Sequence, residues 1–286
     1  MDKKVFITRI LSAIVFGVVM LGGLLFNQLS FIVLTTLICG GCLWEYFGLI
    51  STIQSYSERK KKTFRILSTL FGLTAYAFFL FPFLNFFLSG LILMIIPLLF
   101  LMFCVELFSG EQRTFQNTSF NLLGIFYISI PFGLLHLIVF FVSDHNCPWF
   151  PGKINAVLGL LLLIWTNDTF AYITGSLFGR HKLFSSISPK KSWEGFFGGT
   201  IMTLIVAFLI SMLLDTIKLQ DWIVIALIAS VVGTLGDLFE SMLKRNLGIK
   251  DSGSIMPGHG GFLDRFDAFI FCIPFVFAYL LLTFFL

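Results

Sequence analysis

Apolar residues run along this chain in nine long stretches, approximately 9–26, 29–50, 66–85, 87–108, 120–142, 154–178, 195–214, 222–240 and 264–286, divided by short polar segments. A helix needs roughly 20 apolar residues to cross about 30 Å of hydrocarbon. Each stretch is therefore expected to be a transmembrane helix. The chain reads as an all-α, polytopic integral membrane protein with about nine transmembrane helices. It forms a single membrane domain over 1–286, in which 1–153 supplies N-terminal helices and 154–286 carries the helices and loops of the candidate chemistry.

The polar segments fix the orientation. Nine crossings put all but two of the 19 lysines and arginines on one side, leaving only Lys153 and Lys218 on the other. Basic loops mark the cytoplasmic face, and one crossing more or fewer would scramble every later loop. The amino terminus is thus expected in the cytoplasm and the carboxyl terminus outside. The first stretch has a basic start and no small-x-small site behind it, so it reads as an uncleaved anchor.

Composition agrees with a membrane protein. The chain is 57% hydrophobic and 12% charged, against about 25% charged in soluble domains, and its mean hydropathy is +0.96. The net charge of +4 follows from the basic loops and points to no nucleic-acid partner. The cluster ERKKK at 58–62 could touch anionic headgroups, although topology accounts for it. Cys39, Cys42, Cys104 and Cys272 fall within spans and Cys147 in an external loop, so no disulfide framework is expected. Cys39 and Cys42 form a C-x-x-C without a second ligand pair at zinc spacing and read as small packing residues.

Candidate chemistry gathers on the cytoplasmic side. The segments 179–194, GRHKLFSSISPKKSWE, and 241–263 are both cytoplasmic loops in this topology, and KRNLGIKDSGSIMPGHGGFLDRFD, Lys244 to Asp267, mixes cations, carboxylates and glycines. Asp168 lies inside a span, with Tyr172, Gly175 and Gly179 on its helical face. A carboxylate at that depth costs about 2.5–3.5 kcal/mol to insert, so it is expected to line a polar cavity. Asp237 shares a face with Ser241 and Lys244, Glu240 and Lys244 have the spacing of a surface salt bridge, and Asp264 and Asp267 open the last span.

Because the last two spans are antiparallel neighbours, Asp237, Asp264 and Asp267 are expected to converge. At 4 Å and an effective dielectric near 20 each pair would repel by roughly 4 kcal/mol. A divalent cation relieves that repulsion, and an all-oxygen donor set points to Mg2+. Lys191, Lys244, Arg245, Lys250 and Arg265 would then face phosphate oxygens. The glycines of PGHGG, 257–261, let backbone approach a ligand, and His259 could donate to a phosphate or cap the turn. No P-loop is present.

The spaced pattern S-x-x-K-R-x4-K-D-x5-P-x-H-G-G-x-x-D-R-x-D, from Ser241 through Lys244, Arg245, Lys250, Asp251, Pro257, His259, Gly260, Gly261, Asp264 and Arg265 to Asp267, resembles the signature of the phosphatidate cytidylyltransferases. SPKKSWEG, 188–195, resembles a second segment of that family. Met256 and Ser192 depart from its commoner residues. The resemblance implies a bacterial inner-membrane enzyme that converts CTP and phosphatidate into CDP-diacylglycerol and pyrophosphate, with its active site facing the cytoplasm. It implies Mg2+, with the option of a second, monovalent cation; the carboxylates expected to hold Mg2+ are Asp237 and Asp264, supported by Asp267 and Asp251. Lys244, Arg245 and Arg265 would hold phosphates, and Ser188 and Lys191 would complete the nucleotide or lipid-phosphate pocket. Membrane lipids surround it, and a homodimer is a further implication. Two rivals stay open: a CTP-dependent lipid or polyprenol kinase, and an ion-coupled transporter with Asp168 as a relay.

Overall fold

The computed structural model describes residues 3–53, 57–83, 97, 100, 104, 114–142, 155–214, 217–249, 252–253 and 260–285. The helices are α1 (Lys3–Leu25), α2 (Gln28–Ile53), α3 (Glu58–Ala77), α4 (Thr114–Gly124), α5 (Ile130–Val142), α6 (Asn155–Phe178), α7 (Trp193–Leu213), α8 (Leu219–Asn246) and α9 (Leu263–Phe285). A 3-10 turn, Phe78–Phe83, extends α3, and a π-helical turn, Ile125–Ser129, joins α4 to α5. Seven helical runs of the described residues are long and apolar enough to span a membrane, with α4, the π turn and α5 counting as one run. The first expected stretch is the helix α1. The expected span 87–108 lies almost wholly outside the described residues, as do Cys147 and Lys153.

Boundaries differ where polar residues still favour helix. The third span was expected from residue 66, yet α3 starts at Glu58 and takes in ERKKK, because lysine and arginine are good helix formers and Lys61 pairs with Glu58 at 2.9 Å. The π turn stands just before Pro131. Proline has no N–H to return to the preceding turn and its ring crowds that turn's carbonyl, and a wider turn absorbs the misfit.

The fold is that of an all-α membrane protein with, among the described residues, one small two-stranded sheet. Within 179–194, expected as a loop, β1 (Lys182–Phe184) and β2 (Ser188–Ser192) pair antiparallel, with Lys182 opposite Ser192 and Phe184 opposite Ser188. This small hairpin bridges α6 and α7. Ser192 ends it and caps α7, its Oγ accepting from Gly195 N at 3.2 Å.

Helix–helix contact in lipid depends on close approach more than on water exclusion, so small residues mark the seams. The α6–α7 seam brings Gly175 against Gly195, and a Cβ on Gly179 would stand 2.7 Å from Ser192 Oγ. This is the narrow face expected for Gly175 and Gly179. Tyr172, by contrast, is 77% exposed. At the α8–α9 seam a Cβ on Gly236 would stand 2.8 Å from the Asp267 carbonyl oxygen and 2.8 Å from Phe271 Cβ. Helix α9 runs on to pack against α5 and α2, around buried Phe31, Tyr46, Phe47, Phe132 and Phe266. Cys39, Cys42 and Cys272 are buried and free, in keeping with a packing role.

Candidate active site

The carboxyl-terminal turns of α8 and the first turn of α9 build the site. Asp237, Glu240, Ser241 and Lys244 fall on one face of α8 through their i, i+3, i+4 and i+7 spacing. Gly236 lets α9 close on that face, which becomes an interface. Lys244 Nζ lies 2.5 Å from Glu240 Oε2 and 2.6 Å from Asp264 Oδ1, with the Lys244 and Glu240 side chains only 12% and 1% exposed. The surface salt bridge expected for Glu240 and Lys244 is therefore a buried ionic triad that ties two helices. Two carboxylates on one ammonium leave it one negative charge in excess.

The chain enters α9 through a tightly specified turn. After α8 a Schellman arrangement turns it back, with Gly248 N donating to Arg245 O at 3.0 Å, Ile249 N to Lys244 O at 3.0 Å, and Gly248 at φ 68°. Asp264 Oδ2 accepts from Ser252 N at 3.0 Å and Gly261 N at 2.9 Å. Gly260 is at φ 83°, where a Cβ would stand 2.7 Å from Asp264 Oδ2. Glycine is thus required there both for conformation and for space.

The hairpin completes the site from the opposite side. Lys191 Nζ on β2 lies 2.6 Å from Asp237 Oδ2, and Ser241 Oγ donates to Asp237 Oδ1 at 3.3 Å. Asp168 on α6 interacts electrostatically with Asp237, Lys191 and Arg265, and Asp267 with Asp237, Glu240 and Asp168. Four elements thus contribute to one charge cluster. Asp168 is exposed although it lies within the span Ala156–Phe178. An ionisable side chain within a span is costly in hydrocarbon, and Asp168 has Lys191 and Arg265 as its cationic neighbours. Asp267 is 8% exposed, and its Oδ1 accepts from Ala268 N at 2.7 Å.

Not every expected residue joins the cluster. Arg245 is exposed and donates from Nη1 to Ile249 O at 3.4 Å, closing the turn after α8. Ser188 starts β2 opposite Phe184, and no hydrogen bond joins it to the carboxylates among the described residues. Lys250, Asp251 and His259 lie outside the described residues. One participant was missed by the sequence reading. Glu45 on α2 is 3% exposed, and its Oε2 accepts from Leu263 N at 2.9 Å and Ser252 Oγ at 3.1 Å. It was the lone carboxylate inside the stretch 29–50, and an ionisable residue within a span is a candidate on that ground alone.

The family model of the cytidylyltransferase family matches residues 7–283. The chain belongs to the cytidylyltransferase family. Among curated relatives, phosphatidate cytidylyltransferases of Staphylococcus haemolyticus and Staphylococcus aureus are each 38% identical over 182 residues, 63% of this chain and 65% of theirs. That of Staphylococcus saprophyticus is 40% identical over 181 residues, again 63% and 65%. The matched region spans 65% of these relatives' length, less than two thirds.

For a cytidylyltransferase the charge balance of the cluster is informative. Among the described residues five carboxyl groups, of Asp168, Asp237, Glu240, Asp264 and Asp267, lie within electrostatic reach of Lys191, Lys244 and Arg265. The donors are all oxygen. A carboxylate offers about four acceptor sites; Asp237 uses two and Asp264 three, so each keeps capacity for a cation. Among the described residues no group of three or more metal-ligating side chains gathers around one point.

Proposed function

We propose that this chain transfers the cytidylyl group of CTP to phosphatidate, giving CDP-diacylglycerol and pyrophosphate in phospholipid biosynthesis. The observation that carries the reading is the pairing of Lys191 with Asp237 beside exposed Asp168, at the depth of a membrane span. It supports a reading in which these cations would bind phosphate where a lipid headgroup and a water-soluble nucleotide meet. The names of the staphylococcal relatives and the family support the same activity.

In this reading the phosphatidate phosphate oxygen attacks the α-phosphorus of CTP. The new P–O bond forms as the bond from the α-phosphorus to the oxygen shared with the β-phosphate breaks, and pyrophosphate leaves. A phosphomonoester has a second pKa near 6, so the nucleophile is already ionised and no strong general base is required. The residues align and neutralise. Lys191, the more exposed of the paired lysines, would exchange its carboxylate partner for phosphate oxygens, Lys244 would add charge from the buried triad, and Arg265 would offer a bidentate guanidinium. Asp237 and Asp264, with Asp267 behind them, would hold Mg2+. The ion would neutralise phosphate charge in the way general to phosphoryl transfers.

The finer topology belongs to the same proposal. The seven described spans, α1 and 87–108 make nine crossings, with the amino terminus and the active site on the cytoplasmic side of a bacterial inner membrane. The lysine and arginine asymmetry and the bacterial relatives support this.

The test is purified protein in detergent with phosphatidate, Mg2+ and CTP labelled at the α-phosphorus. Labelled lipid and stoichiometric pyrophosphate are expected, with loss of both in chelator and recovery on adding Mg2+. Label entering lipid only from the γ-position would make the protein a lipid kinase. Lipid-independent flux across liposomes, without CTP consumption, would make it a transporter.

A further inference from the structure

Glu45 belongs to α2, in the N-terminal half of the chain, yet among the described residues its hydrogen-bond donors are Ser252, beyond α8, and Leu263, the first residue of α9. Leu263 N is one of the first backbone N–H groups of that helix, which have no partner within the helix itself, and Glu45 Oε2 accepts it at 2.9 Å. The same oxygen accepts Ser252 Oγ at 3.1 Å. A negative charge beside a helix N-terminus is favourable. Because the carboxylate is buried, that partnership is strong and its loss costly.

The surrounding sequence is shaped to this contact from both sides. A Cβ on Gly253 would collide with Glu45 Oε1, and one on Gly261 with Oε2. On α2, Gly41 shares the Glu45 face at i−4, and a Cβ there would stand 2.7 Å from the Phe262 ring. Three glycines therefore make room for one carboxylate and one ring. Arg65 on α3 interacts electrostatically with Glu45 and is itself fixed, its Nε donating to Trp44 O at 2.7 Å and its guanidinium lying 4.0 Å from the Trp44 ring centroid. Residue 264 follows directly on the anchored residue 263. Asp264 and its backbone donors Ser252 and Gly261 are thus flanked by the two groups that Glu45 holds.

We propose that Glu45 is a positioning residue, a carboxylate that caps α9 from α2 and holds Ser252 and Leu263 so that Asp264 meets Lys244. Its catalytic consequence rests on the cytidylyl transfer proposed above; its anchoring role does not. The two are separable by reading amide hydrogen exchange without substrate, alongside turnover of α-labelled CTP.

In the purified full-length chain, Glu45→Ala is expected to accelerate exchange at Ser252, Gly261 and Leu263 by about 10-fold or more, leaving α6 and α7 as in wild type. Glu45→Gln keeps a side-chain oxygen for both donors and should stay within about 3-fold of wild type. Ser252→Ala, which removes one donor, should fall between them. Turnover of Glu45→Ala should drop about 100-fold, the scale of a small misplacement of reacting groups, with most of it regained in Glu45→Gln. Unchanged exchange at those three amides in Glu45→Ala overturns the anchor, as does equal acceleration through α6 and α7. If wild type makes no labelled lipid, the transfer reading fails and exchange still decides Glu45. If wild type is active and Glu45→Ala retains turnover within about 2-fold, the positioning role is overturned.

Discussion

At the residue scale the buried triad of Glu240, Lys244 and Asp264 makes unequal predictions for its three members. Removing the ammonium leaves two carboxylates facing each other out of water, so Lys244→Met is expected to cost about 3–5 kcal/mol. Its detergent melting midpoint should fall on the order of 10 °C. Asp264→Asn removes one of two negative charges and leaves Lys244 paired with Glu240. It should melt near wild type while turnover falls by at least about 100-fold, the scale of lost electrostatic stabilisation; near-normal turnover at saturating Mg2+ would remove Asp264 from the proposed ion. Glu240→Gln likewise leaves the Lys244–Asp264 pair intact and should fold normally. The acids and bases of this cluster were legible in the sequence because spacing on a helix and the turn from one span to the next place them together. The Glu240–Lys244 pair was legible in its spacing, whereas the pairing of Lys244 with Asp264 and of Lys191 with Asp237 was not. That choice depends on how closely α8 and α9 approach, and on a carboxylate, Glu45, more than 200 residues away in sequence.

At the element scale that approach is set by glycine. Gly236 sits one residue before Asp237, and a Cβ there would stand 2.8 Å from the Asp267 carbonyl oxygen, a contact with backbone that cannot swing aside. Gly236→Val is expected to push α9 away from α8 at a cost of about 1–3 kcal/mol, and to separate Lys244 from Asp264. Its signature is a fall in both melting midpoint and turnover, whereas Gly248→Asn, at a φ of 68° that asparagine tolerates and with open space around it, should leave both near wild type. Helices were readable from the length of their apolar runs, since a span must be about that long. The hairpin Lys182–Ser192 was not, since strands of 3 and 5 residues give no period to detect. The π turn before Pro131 was also hidden, because the proline sits inside an apolar stretch whose hydropathy it does not interrupt.

At the scale of the whole molecule the contacts of the site constrain topology independently of charge. Lys191 on the hairpin touches Asp237, and Lys244 touches Asp264. The carboxyl end of α6, the amino end of α7, the carboxyl end of α8 and the amino end of α9 therefore share one membrane face. Lys218, at the opposite end of the 28-residue helix α8, stands about 42 Å away at 1.5 Å per residue, on the other face. Contacts alone do not say which face is cytoplasmic. The excess of lysine and arginine is what supports the cytoplasmic side proposed above, because basic residues are retained inside. Single cysteines can test the combination, since Cys39, Cys42 and Cys272 are buried and poorly reactive towards maleimide, leaving only Cys104 and Cys147 to be replaced. In intact cells, an impermeant maleimide is expected to label Lys218→Cys at once and Lys182→Cys only after permeabilisation. Labelling of Lys182→Cys from outside would turn the site towards a compartment without CTP, and both the orientation and the proposed reaction would fall together.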